Sequence, residues 1–429
     1  MQLRIEKLAY GGDGLARLPA DEHGPGKAAF VPFVLDGELI QADLLEEKPG
    51  FVRARANQIL EASSNRVEPP CPYFARCGGC HYQHASYEHQ IEIKSAILKE
   101  TLRRIGKIEL SDVAVHASPE WNYRNRTRLK IQSHPQFALG YYRLNSHELL
   151  AVEKCPVSSP LINIAIAELW RAGRDGSLPA EIEEIELFAN AEDDQLLVEI
   201  YCVPGTTPEA GQKIATSIPP AVPQAVGVAV FSRDARKGGS ESKIANLGGD
   251  EIDYHTSQHT FRVSAGAFFQ TNRFLVDQLI ELATGGLSGD LALDLYAGVG
   301  LFASALGQSF AQVMAVEASP ISYQDLLYNS GPNTRAVHAT TDQFLKNMGR
   351  KLRPDLVLVD PPRSGLGEVV VRSLVSLGAH QITYVSCDPA TLARDLKGLL
   401  NAGYHLRRAE MVDLFPQTFH LESVFHLTK

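Results

Sequence analysis

The sequence predicts an α/β protein: a doubly wound parallel sheet in its C-terminal part, preceded by a small N-terminal β-barrel and a β-rich central insert. Three observations carry this expectation. From about residue 262, apolar runs alternate with amphipathic stretches; LALDLYAGVG, QVMAVEA, LVLVDPP and ITYVSCD each end in a turn and lead into a helical pattern. Strands that are apolar throughout and alternate with helices belong to a parallel sheet covered on both faces. The first 60 residues instead break into short runs separated by Gly and Pro, and residues 113–260 alternate strand-like runs with polar turns.

In chain order, IEKLAYGGDGLARL, KAAFVPFVL, GELIQADLLEEK and FVRARANQIL are the barrel runs, with Gly-Gly-Asp-Gly as a turn. SSNRVEPP (63–70) is a linker. A helix follows in SYEHQIEIKSAILKETLRRIG, where Tyr87, Ile91, Leu98, Leu102 and Ile105 share a face, Ser86 is the N-cap and Gly106 the stop. The insert contains one helix, 160–172. The chain should close with two strands joined by a loop. The expected division is 1–62 for the barrel, 63–82 with 113–261 for the insert, and 83–112 with 262–429 for the doubly wound domain.

At 429 residues, with 44% hydrophobic and 21% charged residues, the composition is that of a globular protein of two or three domains. No apolar stretch approaches the roughly 18 residues a membrane span needs, and MQLRIEKLAYGGDG lacks a signal-peptide pattern. A cytoplasmic location is expected, where clustered cysteines point to metal binding or catalysis rather than disulfides. A net charge of −9 argues against coating nucleic acid through bulk charge, but leaves room for a local basic surface.

DLYAGVG (294–300) ends a strand and opens a helix; Gly298 and Gly300 permit a tight turn and a close ligand. Glycine pairs alone are a weak signal. Glu317, at the end of the next strand, is placed to accept ribose hydroxyls, an arrangement common to NAD and S-adenosyl-L-methionine enzymes. Asp360, in DPPRSGL, would face the same crevice, and its double proline favours a methyltransferase of nucleic-acid bases. Cys387, in YVSCDPATLARDL, ends the next strand. A buried thiol is the ordinary reading of such a residue. Beside a methyl donor it has a specific use: C5 of a pyrimidine is a poor nucleophile until a thiolate adds at C6. Asp388 can cap the following helix, whose N-terminus favours thiolate, while its charge opposes it. Glu422, in FHLESVF, is flanked by apolar residues that raise a carboxyl's pKa, which suits the base that removes the C5 proton.

Cys71, Cys77 and Cys80 form C-x5-C-x2-C, and Cys155 stands apart in VEKCPV. The spacing fits an iron–sulfur cluster or a four-thiolate zinc site equally. Cys202 reads as core. In WNYRNRTRLKI, Arg124, Arg126, Arg128 and Lys130 alternate, so on a strand they share a face for RNA or simply for solvent. Trp121, Tyr123, Phe268, Phe269 and His420 are candidate surfaces for an unstacked base.

Taken together, FFQTNRFLVDQL, LDLYAGVGLF, VEASP, LVDPPRSGL, YVSCDPATLARDL and FPQTFHLESV resemble the RNA uracil-C5 methyltransferase family. The N-terminal IEKLAYGGDGLAR, FVPFVLDGE and CPYFARCGGCHYQH resemble its branch with an RNA-binding TRAM barrel and an iron–sulfur cluster. The resemblance implies a Rossmann-like transferase with Cys387 as nucleophile and Glu422 as base. Gln270, Tyr296, Glu317 and Asp360, with the Gly298–Gly300 loop, would hold S-adenosyl-L-methionine. Cys71, Cys77, Cys80 and Cys155 would hold a [4Fe-4S] cluster. Leu301 and Thr340 depart from the family's usual polar residues. The implied partner is structured RNA, foremost 23S rRNA, with the enzyme a monomer and no membrane involved. The alternatives are a tRNA uridine and a non-catalytic RNA-binding protein of the same fold.

Overall fold

The computed structural model describes residues 1–19, 26–234, 240–348 and 351–429. An eight-stranded sheet dominates the C-terminal part. From edge to edge its strands are Thr334–His338, Phe310–Glu317, Gly289–Leu295, Leu356–Val359, Gln381–Ser386, Glu422–Thr428, His405–Val412 and Ala114–His116. The first five are mutually parallel. Glu422–Thr428 runs antiparallel to both its neighbours. The chain winds outward from Gly289–Leu295 and then returns to its other side with Leu356–Val359. Ligands bind at such a reversal, outside the carboxyl ends of the strands.

Side-chain alternation divides the core in two. Ala292, Leu356, Leu358, Val385 and Val424 enter one cluster, and Leu293, Val357, Val359, Tyr384 and Phe425 the other. Both faces are covered, as the unbroken apolar runs require. Among the described residues no helix is long and apolar enough to cross a membrane.

Among the described residues, the stretch up to Glu61 forms a six-stranded sheet. Gln2–Arg4 pairs with Leu39–Glu47, while Lys7–Leu8, the continuation of the same segment, pairs with Asp13–Arg17. That shared first segment closes the sheet around a small core of Leu3, Ile5, Val31, Ile40 and Val52.

The insert holds seven strands, in the order Leu149–Ala151, Ala138–Tyr142, Arg126–Gln132, Ile182–Ala189, Leu196–Cys202, Ala225–Asp234 and Ser240–Gly248. Its helix Pro160–Arg174 was expected; Pro208–Ser217 was not. Both start on Pro behind a hydroxyl cap, Ser159 accepting from the Ile162 N–H and Thr207 from the Ala210 N–H.

Three expectations need correction. Ala114–His116 pairs with His405–Val412, so the doubly wound unit extends past residue 112. The boundary expected at 261/262 falls inside the hairpin Glu251–His255/Thr260–Ser264, whose Ile252, Tyr254, Phe261 and Val263 pack into the large sheet's core. The helix Tyr87–Thr101 continues as a π-helical turn, Leu102–Gly106, which ends on Lys107 at φ 59°. Its buried face carries His89, Gln90, Ile93, Lys94, Ile97 and Leu98, while Ile105 is 43% exposed and the Ser86 side chain makes no cap bond. Periodicity assigned this face wrongly because two of its polar residues, Gln90 and Lys94, are buried against specific partners.

Candidate active site

The strand Gly289–Leu295 breaks into a loop with Tyr296 at φ 68°, Gly298 at 56° and Gly300 at 97°. A Cβ on Gly298 would meet nothing within 4 Å, because the loop faces open space. That space is a cavity of about 550 Å³ whose wall includes Gln270, Tyr296, Gly298, Glu317, Asp360, Cys387 and Glu422. Gly300 is absent from the wall. A Cβ there would stand 2.9 Å from Leu326, so this glycine serves packing and not ligand contact. Glu317 shapes the loop, accepting the Gly298 N–H at 2.8 Å and the Ser319 N–H at 2.6 Å. Leu301 is buried against the cavity, and Thr340 is not part of the wall.

Cys387 directly follows the strand Gln381–Ser386, and the next helix begins at Pro389. Asp388 caps that helix, accepting the Ala390 N–H at 3.0 Å and the Thr391 N–H at 2.8 Å. Ser386 is the last residue paired with the terminal strand, opposite Ser423. Continuing this antiparallel register by one residue on each side sets Cys387 across from Glu422. Burial, followed by the neighbouring Glu422 and Asp360, pushes the Cys387 thiol up to about 12. Asp388 already spends its charge on the helix cap, and the free protein holds Cys387 as a thiol. Burial and Asp360 raise Glu422 well above the usual carboxylate range, against a partial opposite pull from Arg363. Burial raises Asp360 to about 7.

Further residues shape the site. Asp294 is fully buried, and burial with Asp360 raises it to about 8. Its signal was the acid at the strand end in LDLYAG. Arg363 lies in a quoted motif; it lines the cavity and stands 3.4 Å from His420 Nδ1. Burial and Arg363 lower His420 to about 3, which leaves its imidazole neutral. The Tyr10 hydroxyl, from the N-terminal barrel, donates to the Cys387 carbonyl at 3.3 Å.

The loop before Glu422 is pinned from the side. Lys94 and Asp413 are 2.6 Å apart and almost wholly buried, and Lys94 also donates to the Phe415 carbonyl at 2.9 Å. Gln90 and Gln417 exchange hydrogen bonds of 3.0 and 2.9 Å.

Cys71, Cys77, Cys80 and Cys155 line one separate cavity of about 460 Å³. A Cβ on Gly79 would stand 3.6 Å from the Cys77 sulfur, so the Gly78-Gly79 backbone closes in on the thiols. Burial raises Cys77 to about 11 and Cys80 to about 12. Among the described residues no three Cys, His, Asp or Glu side chains gather tightly enough to hold one metal ion. Cys202 is buried in the insert's core.

The basic strip needs correction. Arg126, Arg128 and Lys130 do share a face of Arg126–Gln132, but each is already paired. Arg126 bonds Glu186 and Glu199, Arg128 bonds Glu184 and Glu241 while lying over the Tyr201 ring, and Lys130 bonds Glu184. Glutamates on neighbouring strands cancel the charge that phosphates would read. Arg124 is half-buried and lines the cysteine cavity. Tyr123 is fully buried and donates to the Pro416 carbonyl, so it offers no stacking face, and Phe269 is buried as well. Phe268 is 65% exposed at the active-site rim.

Residues 86–429 match the family model described as tRNA (uracil-5-)-methyltransferase. An RNA methyltransferase of Aquifex aeolicus is 34% identical over 99% of this chain and 97% of its own length. The 23S rRNA (uracil(1939)-C(5))-methyltransferase of Pectobacterium atrosepticum is 33% identical over 99% of this chain and 92% of its own. The Pyrococcus abyssi tRNA (uracil-54, C5)-methyltransferase, solved with S-adenosyl-L-homocysteine, shares the fold, with a TM-score of 0.76, 23% identity and full coverage of both chains.

Proposed function

The chain belongs to the RNA (uracil-5-)-methyltransferase family, and from that premise we propose that it methylates C5 of a uridine in 23S rRNA through a covalent adduct on Cys387. The observation that carries the chemistry is the register setting Cys387 opposite Glu422 on the wall of the donor-sized cavity. S-Adenosyl-L-methionine, when bound, supplies a methyl group on a positively charged sulfonium. Glu317, Asp360 and Glu422 place carboxyl groups on the wall of that cavity, with Asp294 buried beside Asp360. Gln270, Tyr296, Gly298, Glu317 and Asp360 are the residues that would hold the donor.

Cys387 does not ionise alone at neutral pH. As its sulfur adds to C6 of the uracil, the thiol proton passes to Asp360. A protonated Asp360 is a hydrogen-bond donor for the carbonyl oxygen on which negative charge develops. C5, now electron-rich, takes the methyl group. Glu422 then removes the C5 proton, the C6–sulfur bond breaks, and the departing thiolate recovers a proton from Asp360. One difficult substitution becomes an addition, a transfer and an elimination. Arg363 restrains the pKa values of both Cys387 and Glu422.

The 23S target rests on the Pectobacterium relative, which aligns over nearly the whole chain. A tRNA uridine is the second reading, prompted by the Pyrococcus fold. Retention of Cys387 and Glu422 opposes the non-catalytic reading. The enzyme would act in the cytoplasm as a monomer, its N-terminal barrel serving as an RNA-binding TRAM module. Cys71, Cys77, Cys80 and Cys155 would hold a [4Fe-4S] cluster that braces the insert, since methyl transfer moves no net electrons. Zinc bonds of about 2.3 Å put four sulfurs roughly 3.8 Å apart. Thiols spread around a cavity suit a cluster better, because each thiolate binds a different iron. Mapping 5-methyluridine in ribosomal and transfer RNA of cells lacking the protein tests the target. Loss of one 23S site supports it, loss from tRNA supports the second reading, and an unchanged map contradicts both.

A further inference from the structure

Arg124 occupies an unusual position for an arginine. It lines the cavity of the four cysteines on one side and, on the other, a second cavity reaching Phe268 and Phe269. Its side chain is half-buried and lines both cavities. Its main chain is clamped on both sides: its N–H donates to Val157 at 2.9 Å, and its carbonyl accepts the Ser159 N–H at 2.8 Å. Both partners lie just beyond Cys155. A further bridge joins Arg124 to Asn272, two residues past Gln270. The backbone of Arg124 is thereby fixed next to Cys155.

Among the described residues no carboxylate forms an ion pair with it. The groups it faces are Tyr123, Cys155, Tyr141 and Cys80. Glu186 and Glu241, on the wall of the second cavity, are taken by Arg126 and Arg128. The cysteine cavity is also lined by Arg128, Arg143 and Lys154, and by no carboxylate among the described residues. A half-buried cation with no carboxylate beside it favours an anion in the cavity it lines.

We infer that Arg124 is the built-in counter-charge of an anionic, thiolate-ligated metal centre in this cavity, and not a phosphate contact. The inference rests on the cluster reading above. Four thiolates bring four negative charges, and a doubly positive iron–sulfur core cancels two of them. The remaining charge lies beside the guanidinium. The same cation opposes the loss of bound thiolates and favours taking up an electron.

The test uses the full-length protein, reconstituted without oxygen with ferrous iron and sulfide, alongside Arg124→Gln and Arg124→Lys. Iron and sulfide per chain, the one-electron midpoint potential by dithionite titration, and S-adenosyl-L-homocysteine affinity as a fold control are measured. Arg124→Gln should lose the cluster at least tenfold faster, or make its reduction at least tenfold less favourable, about 59 mV for one electron. Arg124→Lys should recover most of the effect. Unchanged potential and cluster lifetime in Arg124→Gln overturn the inference while leaving the cluster reading intact. Equal loss in both variants with normal S-adenosyl-L-homocysteine affinity also overturns it, because shape rather than charge is then responsible. If the unaltered protein takes zinc and no cluster, the cluster reading falls, and the inference stands only if Arg124→Gln weakens zinc binding tenfold. If it takes neither metal, both fall.

Discussion

Cys387 and Glu422 face each other one step beyond the last paired residues, Ser386 and Ser423, of two antiparallel strands. Cys387 lies one residue past the paired strand, and both side chains line the same cavity. The proximity has an electrostatic consequence: Glu422 helps to keep the thiol protonated. Iodoacetamide should modify Cys387 in the free enzyme more slowly than an ordinary exposed cysteine at pH 8. Glu422→Gln removes a negative neighbour, lowers the thiol pKa and should speed that modification several-fold, read by peptide mass spectrometry. A slower reaction in the variant would contradict the pairing.

The buried acids make stability pH-dependent. Asp294 and Asp360 are raised to about 8 and about 7, against about 3.9 in an unfolded chain. Between these limits the folded form binds more protons than the unfolded form, so stability falls as pH rises from about 4 to about 8. Urea midpoints across pH 5 to 8.5 should decline without donor, and Asp294→Asn should flatten the decline. An equal slope in the variant would remove Asp294 as its source.

Lys94 and Asp413 form a buried pair that anchors the loop leading to His420 and Glu422. Lys94→Met leaves Asp413 enclosed without its cation, so it should cost about 3–5 kcal/mol in urea unfolding. A loss below about 1 kcal/mol would mean that water reaches the pair.

Arg128 balances Glu184 and Glu241 and lies over Tyr201. Arg128→Ala should therefore lower stability by about 1–3 kcal/mol, while the salt dependence of RNA binding stays unchanged. A direct phosphate contact would instead reduce the slope of log K against log salt by about 1.

Much of this site was legible in the sequence because chemistry concentrates at strand ends. DLYAGVG, VEASP, DPPRSG and SCDP each mark the carboxyl end of a strand, and a doubly wound sheet gathers those ends at one crevice. What pairing decides was not legible. The direction and register of the last strand turn Glu422 from an ordinary strand glutamate into the partner of Cys387. The pKa of Cys387 was open while Asp388 and the helix N-terminus opposed each other; burial and two distant carboxylates decided it. The basic strip failed for a similar reason, since Glu184, Glu186 and Glu199 lie more than 50 positions away in the chain and meet Arg126–Gln132 only across the sheet. The polar face of Tyr87–Thr101 was misassigned because the partners of Gln90 and Lys94 lie near the C-terminus.

The covalent role of Cys387 is tested most directly with 23S rRNA fragments carrying 5-fluorouridine at the target. Fluorine at C5 cannot leave as a proton, so Glu422 has nothing to remove and elimination stalls after methyl transfer. The full-length protein with S-adenosyl-L-methionine should yield a stable, methylated RNA adduct on the peptide containing Cys387, absent in Cys387→Ala. RNA that is bound in the presence of donor but never linked to Cys387 would contradict the covalent mechanism.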